Sequence, residues 1–171
     1  MRNLTKRYII KSLDGLNLSN PIKYERYYIN DNLRIQKKNN KYEKEILDKE
    51  NNLVEKEIIS EKDFFELKEK AYSEIIRESY LLIEDNRISI KKYFGRYLGL
   101  YRVEVTFNSI DEEKACVKES WMGKEITDSP LAFDKYLSKL SEDEFKKELK
   151  NITILIVSRI GILLRIEGTA I

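Results

Sequence analysis

Histidine is absent from the 171 residues. Its absence removes zinc sites built on imidazole, and it removes nucleophiles activated by a Ser–His or Cys–His pair. Cysteine occurs once, at Cys116, so the chain can close no internal disulfide, and a cytoplasmic, reducing setting is expected. With no imidazole to activate it, Cys116 reads as a small buried hydrophobe rather than a nucleophile. Long apolar runs are also missing. The most apolar stretch, Ile152 to Leu164, is about 13 residues long and interrupted by Arg159, short of the roughly 20 that cross a bilayer. Met1 to Asp14 lacks the apolar core of a signal peptide. No membrane segment is expected. Nor is there a large excess of either charge: Lys+Arg 32 against Asp+Glu 30 leaves a net +2. A general nucleic-acid binder carries a larger basic excess, so nucleic acid is not an expected partner. A local basic site balanced by an acidic exterior remains open.

Charged residues make up 36% of the chain and hydrophobic residues 42%, the balance of a globular protein. The length suits one domain over 1–171 with a sizeable core, and no repeat, linker or boundary interrupts it. Read in order, apolar–polar alternation and polar turns predict a meander of strands at Leu4–Ile10, Ile22–Ile29, Leu33–Gln36, Lys41–Asp48 and Leu53–Ile59. Ser60 caps a helix carrying Phe64, Phe65, Leu67 and Ala71 on one face. Strands resume at Glu74–Glu84, Arg87–Tyr93 and Leu98–Phe107, and a further short strand is expected within Asn108–Glu119. Pro130–Leu140 reads as helix. Ser141-Glu142-Asp143-Glu144 is a capping-box pattern opening a helical, apolar tail from about 141, which could serve as a homodimer interface. Two antiparallel meanders, each followed by helix, predict an α+β fold whose sheet closes into a barrel or tunnel, though an open sheet on one helical layer fits almost as well.

Charges sit at alternate positions on several strands: Arg7 beyond Thr5, Glu43 and Glu45, Glu55 and Glu57, Arg77 near the start of its strand, and Glu104. Residues two apart share a sheet face. Any one such face could simply be solvated. Taken together they suggest a polar lumen, in which cations grip phosphates and carboxylates hold a divalent ion.

Two stretches carry a resemblance. Leu98 to Phe107 is a half-buried strand, and Trp121-Met122-Gly123-Lys124-Glu125-Ile126-Thr127 follows it. The pair resembles the end of a CYTH domain, the fold of the triphosphate tunnel metalloenzymes, with its Trp-x-Gly-x-Glu-Val-Thr signature. The resemblance covers about residues 3 to 135 and implies a mostly antiparallel eight-stranded tunnel with helices packed outside. It implies phosphate-binding positions at Arg7, Arg34, Lys49 and Arg77. It implies carboxylates for Mg or Mn at Glu55, Glu57 and Glu104.

The departures matter as much. Where the family opens on Glu-x-Glu-x-Lys, this chain has Asn3, Thr5 and Arg7. Gln36, Leu53 and Ser79 stand at basic positions, Lys91 aligns with an aspartate, and Thr106 replaces a glutamate. The expected function is therefore a tunnel that binds a triphosphate, nucleotide or other polyanion with catalysis weak or lost. The alternatives are an active metal-dependent triphosphatase or class IV-like adenylate cyclase, and a protein-interaction module with a vestigial tunnel. Eleven tyrosines could also fill such a lumen.

Overall fold

The computed structural model describes residues 4–152 and divides the chain into two compact units, Met1–Lys139 and Leu140–Ile171. In the first unit eight strands form one antiparallel sheet: β1 (Thr5–Ile10), β2 (Ile22–Tyr28), β3 (Leu33–Lys38), β4 (Lys41–Leu47), β5 (Leu53–Ile58), β6 (Ser73–Leu81), β7 (Ile88–Tyr93) and β8 (Tyr101–Thr106). Their spatial order is β1-β8-β7-β6-β2-β3-β4-β5. Strands β2 to β5 and β6 to β8 form meanders as expected, joined edge to edge by β2 and β6, but β1, expected to open the first meander, pairs instead with β8 at the far end of the second. Among the described residues β1 and β5 do not pair, so the sheet wraps around a cavity without closing into a barrel.

Two apolar clusters lie on the outer face, while Tyr28, Ile75 and Tyr93 are buried on the inner one. Tyr8 and Ile10 of β1, Ile88 and Ile90 of β7, and Val103 and Val105 of β8 form one buried cluster with Phe107 and Met122. A second cluster joins Tyr27 of β2, Ile35 of β3 and Phe64 of the helix α1 (Glu61–Lys68). The α1 helix starts where expected, because the Ser60 hydroxyl accepts from the Asp63 amide at 3.0 Å. Asn39 and Asn51 make the turns on either side of β4 with positive φ, 51° and 68°. Asparagine visits the left-handed region more readily than most residues do.

The Trp121 to Thr127 stretch works through its backbone. It runs along the free edge of β1: Gly123 donates to the Ile9 carbonyl at 2.8 Å, Ile9 to Lys124 at 3.0 Å and Ile126 to Arg7 at 2.8 Å. The Arg7 amide donates to the Thr127 hydroxyl at 3.0 Å. A Cβ at position 123 would collide with the Ile9 carbonyl oxygen, so the close approach requires glycine. The edge that a sheet would otherwise expose is thereby covered. Trp121 itself is half-buried, packed against the outer cluster rather than enclosed in it. Cys116 is also half-buried there.

Three local expectations need correction. Asn108–Glu119 holds no strand; it forms the helix α2 (Ile110–Ala115). Ser109 accepts from the Glu112 amide while Glu112 accepts from the Asn108 amide, a reciprocal cap, and Asp111, Glu112 and Glu113 face the helix's positive end. The strand expected from Leu98 begins only at Tyr101, because Gly95–Tyr97 is a 3-10 turn and Gly99 has φ 97°. Pro130–Leu140 is not one helix. A 3-10 turn (Pro130–Ala132) and the short helix α3 (Asp134–Leu137) are separated by extended Phe133.

In the second unit a helix α4 occupies 142–152. The expected capping box is formed: Ser141 and Glu144 exchange backbone-to-side-chain hydrogen bonds at 2.7 and 3.2 Å. The apolar run that could serve a dimer continues beyond 152, outside the described residues. Among the described residues no helix is long and apolar enough to cross a membrane.

Candidate polyanion site

Directly paired strand residues share a face, so the sheet register decides what lines the cavity. Arg7 lies opposite Glu104, Arg102 opposite Lys91, Lys91 opposite Ser79, and Arg77 opposite both Tyr24 and Tyr93. Farther round, Arg26 lies opposite Gln36 and Arg34 opposite Glu45. The result is a cavity of about 650 Å³ walled by Arg7, Arg26, Arg34, Arg77, Lys91 and Arg102, with Glu104 and Asp134 among them. Along β8 the inner face carries Arg102 and Glu104 where the outer face carries Val103 and Val105.

Two carboxylates organise these cations. Glu104 is reached by Arg102 at 2.9 Å, Arg7 at 3.5 Å and Lys91 at 3.9 Å. Burial pushes the Glu104 carboxyl up, but the Arg102, Lys91, Arg7 and Arg77 charges outweigh it and hold the group at about 2. Asp134, on α3, accepts four hydrogen bonds. Arg26 at 2.7 Å and Arg77 at 3.0 Å donate to its Oδ2, and Arg102 at 3.0 Å and the Tyr93 hydroxyl at 2.6 Å donate to its Oδ1. Burial again opposes ionisation, and Arg77, Arg102 and Arg26 hold Asp134 well below the usual carboxylate range. Burial lowers Lys91 to about 8, against the pull of Glu104 and with further help from Arg77 and Arg102. Its ammonium donates to the Ser79 hydroxyl at 2.7 Å. The Phe133 ring lies 4.2 Å from the Arg7 guanidinium carbon and backs that side chain.

The cations are nevertheless not saturated. Arg7 Nε, Arg77 NH1 and Arg102 Nε are buried without a hydrogen-bond acceptor. Buried donors of this kind are rare and mark a missing partner. Arg77 and Arg102 have side chains only 5% and 3% exposed, so bulk water does not serve them.

Of the residues singled out from the sequence, Arg7, Arg34, Arg77 and Glu104 line this cavity. Arg34 is engaged there by Glu45 at 2.6 Å. Lys49 is exposed in the turn between β4 and β5 and does not line it. Glu55 and Glu57 are exposed on the outer side of β5. Their register explains this. Glu45 faces Lys56 and Lys44 faces Glu57, so the inward residue of that trio is the lysine. Lys56 reaches Glu43 at 2.9 Å, and Glu57 pairs outside with Lys44 at 3.2 Å. The carboxylates on the inner face of this half are Glu43 and Glu45, bridged by the Gln36 amide.

Sequence reasoning did not single out Arg26, Arg102 or Asp134 as site residues. Arg26 keeps strand phase with Tyr24 and Tyr28, and Arg102 with Glu104, so period two could have found both. Asp134 carries no such signal. Among the described residues no three carboxylate or thiol groups converge in a way that could hold a metal ion. Magnesium needs one or two carboxylates with free oxygens. Glu104 has its Oε1 toward Arg102 and Arg7 and its Oε2 toward Lys91, while Glu55 and Glu57 lie outside. The described residues do not fit a divalent-metal centre.

No protein-family model matches the sequence, and no curated protein sequence matches it. Among the solved structures that resemble the fold are two. One is described as the hypothetical protein NE1496, with TM-score 0.68 and 17% identity over 82% of this chain and 99% of that one. The other is described as the inorganic triphosphatase NE1496, with TM-score 0.65 and 17% identity over 81% and 95% of the two chains. The chain shares with them a triphosphatase-like tunnel fold.

Proposed function

We propose that the cavity binds a triphosphate or a related polyphosphate, and that the chain is a CYTH-like tunnel protein in which hydrolysis is weak or lost. The observation that carries this reading is the convergence of the Arg7, Arg26, Arg34, Arg77 and Arg102 guanidinium groups on one cavity, three of which, Arg7, Arg77 and Arg102, keep a buried N–H without an acceptor. Guanidinium groups match the oxygens of phosphate in both charge and geometry. The cavity, at about 650 Å³, falls within the roughly 300–1,000 Å³ of small-molecule sites. The fold shared with a protein described as an inorganic triphosphatase supports a triphosphate over an unrelated anion.

Weak turnover follows from the carboxylates. In a Mg- or Mn-dependent enzyme the metal would supply charge at the reacting phosphate. Here Glu104 is already neutralised by three cations, and Asp134 by three more contacts with arginine. Arg7, Lys91 and Arg102 can bind and orient a phosphate chain, but the described residues supply no group positioned to activate water.

Calorimetry with tripolyphosphate over a salt series tests the binding, and phosphate release with and without Mg²⁺ or Mn²⁺ tests the chemistry. The expected result is micromolar or weaker binding that falls with salt, with little or no phosphate released. Metal-stimulated turnover abolished by Glu104→Ala would restore the active triphosphatase or cyclase. Absence of any polyanion binding would leave the interaction module.

A further inference from the structure

We propose that Asp134 is a resident anion, its carboxylate holding the Arg26–Arg77–Arg102 corner of the cavity in the place of a phosphoryl group, so that a polyphosphate fills the site only by displacing it. This rests on the reading of the cavity as a polyphosphate site and adds the residue that sets how strongly the site takes its ligand.

The argument is one of donors and acceptors. A carboxylate offers two oxygens with about four acceptor positions. All four are taken: Arg26 and Arg77 on Oδ2, and Arg102 and Tyr93 on Oδ1. Two donors on the same arginines, Arg77 Nη1 and Arg102 Nε, still have no acceptor. The corner is therefore built for an anion with more oxygens than a carboxylate has. A terminal phosphoryl group has three free oxygens and carries more charge, and in the place of Asp134 it would offer an oxygen to Arg102 Nε, which shares an edge of the guanidinium with the nitrogen that Asp134 holds. Charge points the same way. Three guanidinium groups surround the single Asp134 charge, and the nearest other anion, Glu104, is shared among Arg102, Arg7 and Lys91.

The segment that brings Asp134 in has apolar anchors on both sides. Leu131 and Leu137 are fully buried, and the Leu131 carbonyl accepts from Arg102 at 3.0 Å. Ala132 and Phe133 line the cavity beside it. Displacement is thus a local withdrawal of the side chain, with a loosening of the four-residue helix α3, and the anchored segment stays on the wall.

The test compares the unaltered chain with Asp134→Asn, which keeps the size and one acceptor oxygen but removes the charge. Calorimetry with tripolyphosphate should give at least ~10-fold tighter binding in the variant, as expected when a competing charge is removed from a buried cation cluster. The ligand-free variant should melt at a lower temperature, with tripolyphosphate raising its Tm by more than it raises that of the unaltered chain. A purely structural Asp134 would lose stability and affinity together, so a folded variant binding tripolyphosphate equally or more weakly overturns the proposal and leaves the polyphosphate reading standing. Absence of tripolyphosphate binding in both chains overturns both. Should the variant not fold, hydrogen exchange on the unaltered chain decides. Saturating tripolyphosphate should speed exchange at the Leu137 and Ser138 amides, which close α3 on Phe133 and Asp134. Unchanged or slower exchange there, with the ligand bound, overturns the proposal.

Discussion

On the outer face of β7 and β8, Ile88, Ile90, Val103 and Val105 are buried against Tyr8 and Ile10. One residue along on the same strands, Lys91, Arg102 and Glu104 turn inward to the cavity. The outer face is held by apolar area removed from water, a term indifferent to partner identity. The inner face is held by mutual neutralisation, in which each buried charge depends on particular neighbours. The difference separates stability from binding: the outer side chains make the wall and the inner ones make the site. A substitution outside should lower stability and leave the intrinsic affinity alone, whereas one inside should change both.

The largest effect is expected at Arg102, which touches Glu104, Asp134 and the Leu131 carbonyl. Arg102→Gln should cost about 3–5 kcal/mol in urea unfolding, because buried carboxylates lose their partner, and should abolish tripolyphosphate binding by calorimetry. A variant of normal stability would mean that the inner charges do not support the fold. Next is Ile90→Ala, at a side chain with no exposure, for which about 2–5 kcal/mol should be lost while the affinity of the folded fraction is unchanged. A change in affinity there would break the division of labour between the two faces.

A smaller effect should follow from pH. Lys91 stands at about 8, below its usual 10.5. The folded state thus releases this proton before the unfolded state does. The group disfavours folding below about 8, and that cost is relieved between about 8 and 10.5 as the pH rises. Anion binding should move the opposite way, weakening above pH 8 as the ammonium loses its charge. Comparing titrations of the unaltered chain and Lys91→Met cancels the ligand's own ionisation. Identical pH profiles would remove Lys91 from the site. The smallest effect is expected for the outward pair: Glu55→Gln with Glu57→Gln should leave tripolyphosphate affinity, with or without Mg²⁺, within about twofold, since exposed ion pairs contribute little. A metal-dependent loss would bring β5 back into the site.

Where alternation ran unbroken, the sequence was legible down to which side chain faces which way. Arg102, Glu104 and Thr106 share the face opposite Val103 and Val105, as their spacing requires. On β5 legibility failed for a local reason. The register shifts at Ile46/Leu47, and counting along one strand cannot show which of Glu55, Lys56 and Glu57 points inward. The Trp121 stretch was legible as a signature but not as a contact, because its pairing with β1 is made by backbone groups. Asp134 was invisible for another reason. Its partners Arg26, Arg77 and Arg102 lie 108, 57 and 32 residues away, and no period links a short helix to three strands.

The strip of backbone that covers β1 has a consequence for how the molecule is made. Strand β1 precedes the other seven strands, yet both of its neighbours lie far along the chain: β8 pairs Arg7 with Glu104, and Thr127 meets Arg7 across a separation of 120 residues. The intervening strands β2 to β7 close through nearer contacts in sequence and can assemble first, because long loops are entropically costly to close. Strand β1 is therefore expected to dock near the end of folding, and Arg7 with it. On that order the wall of the cavity that bears Arg7 and Glu104 would be completed last.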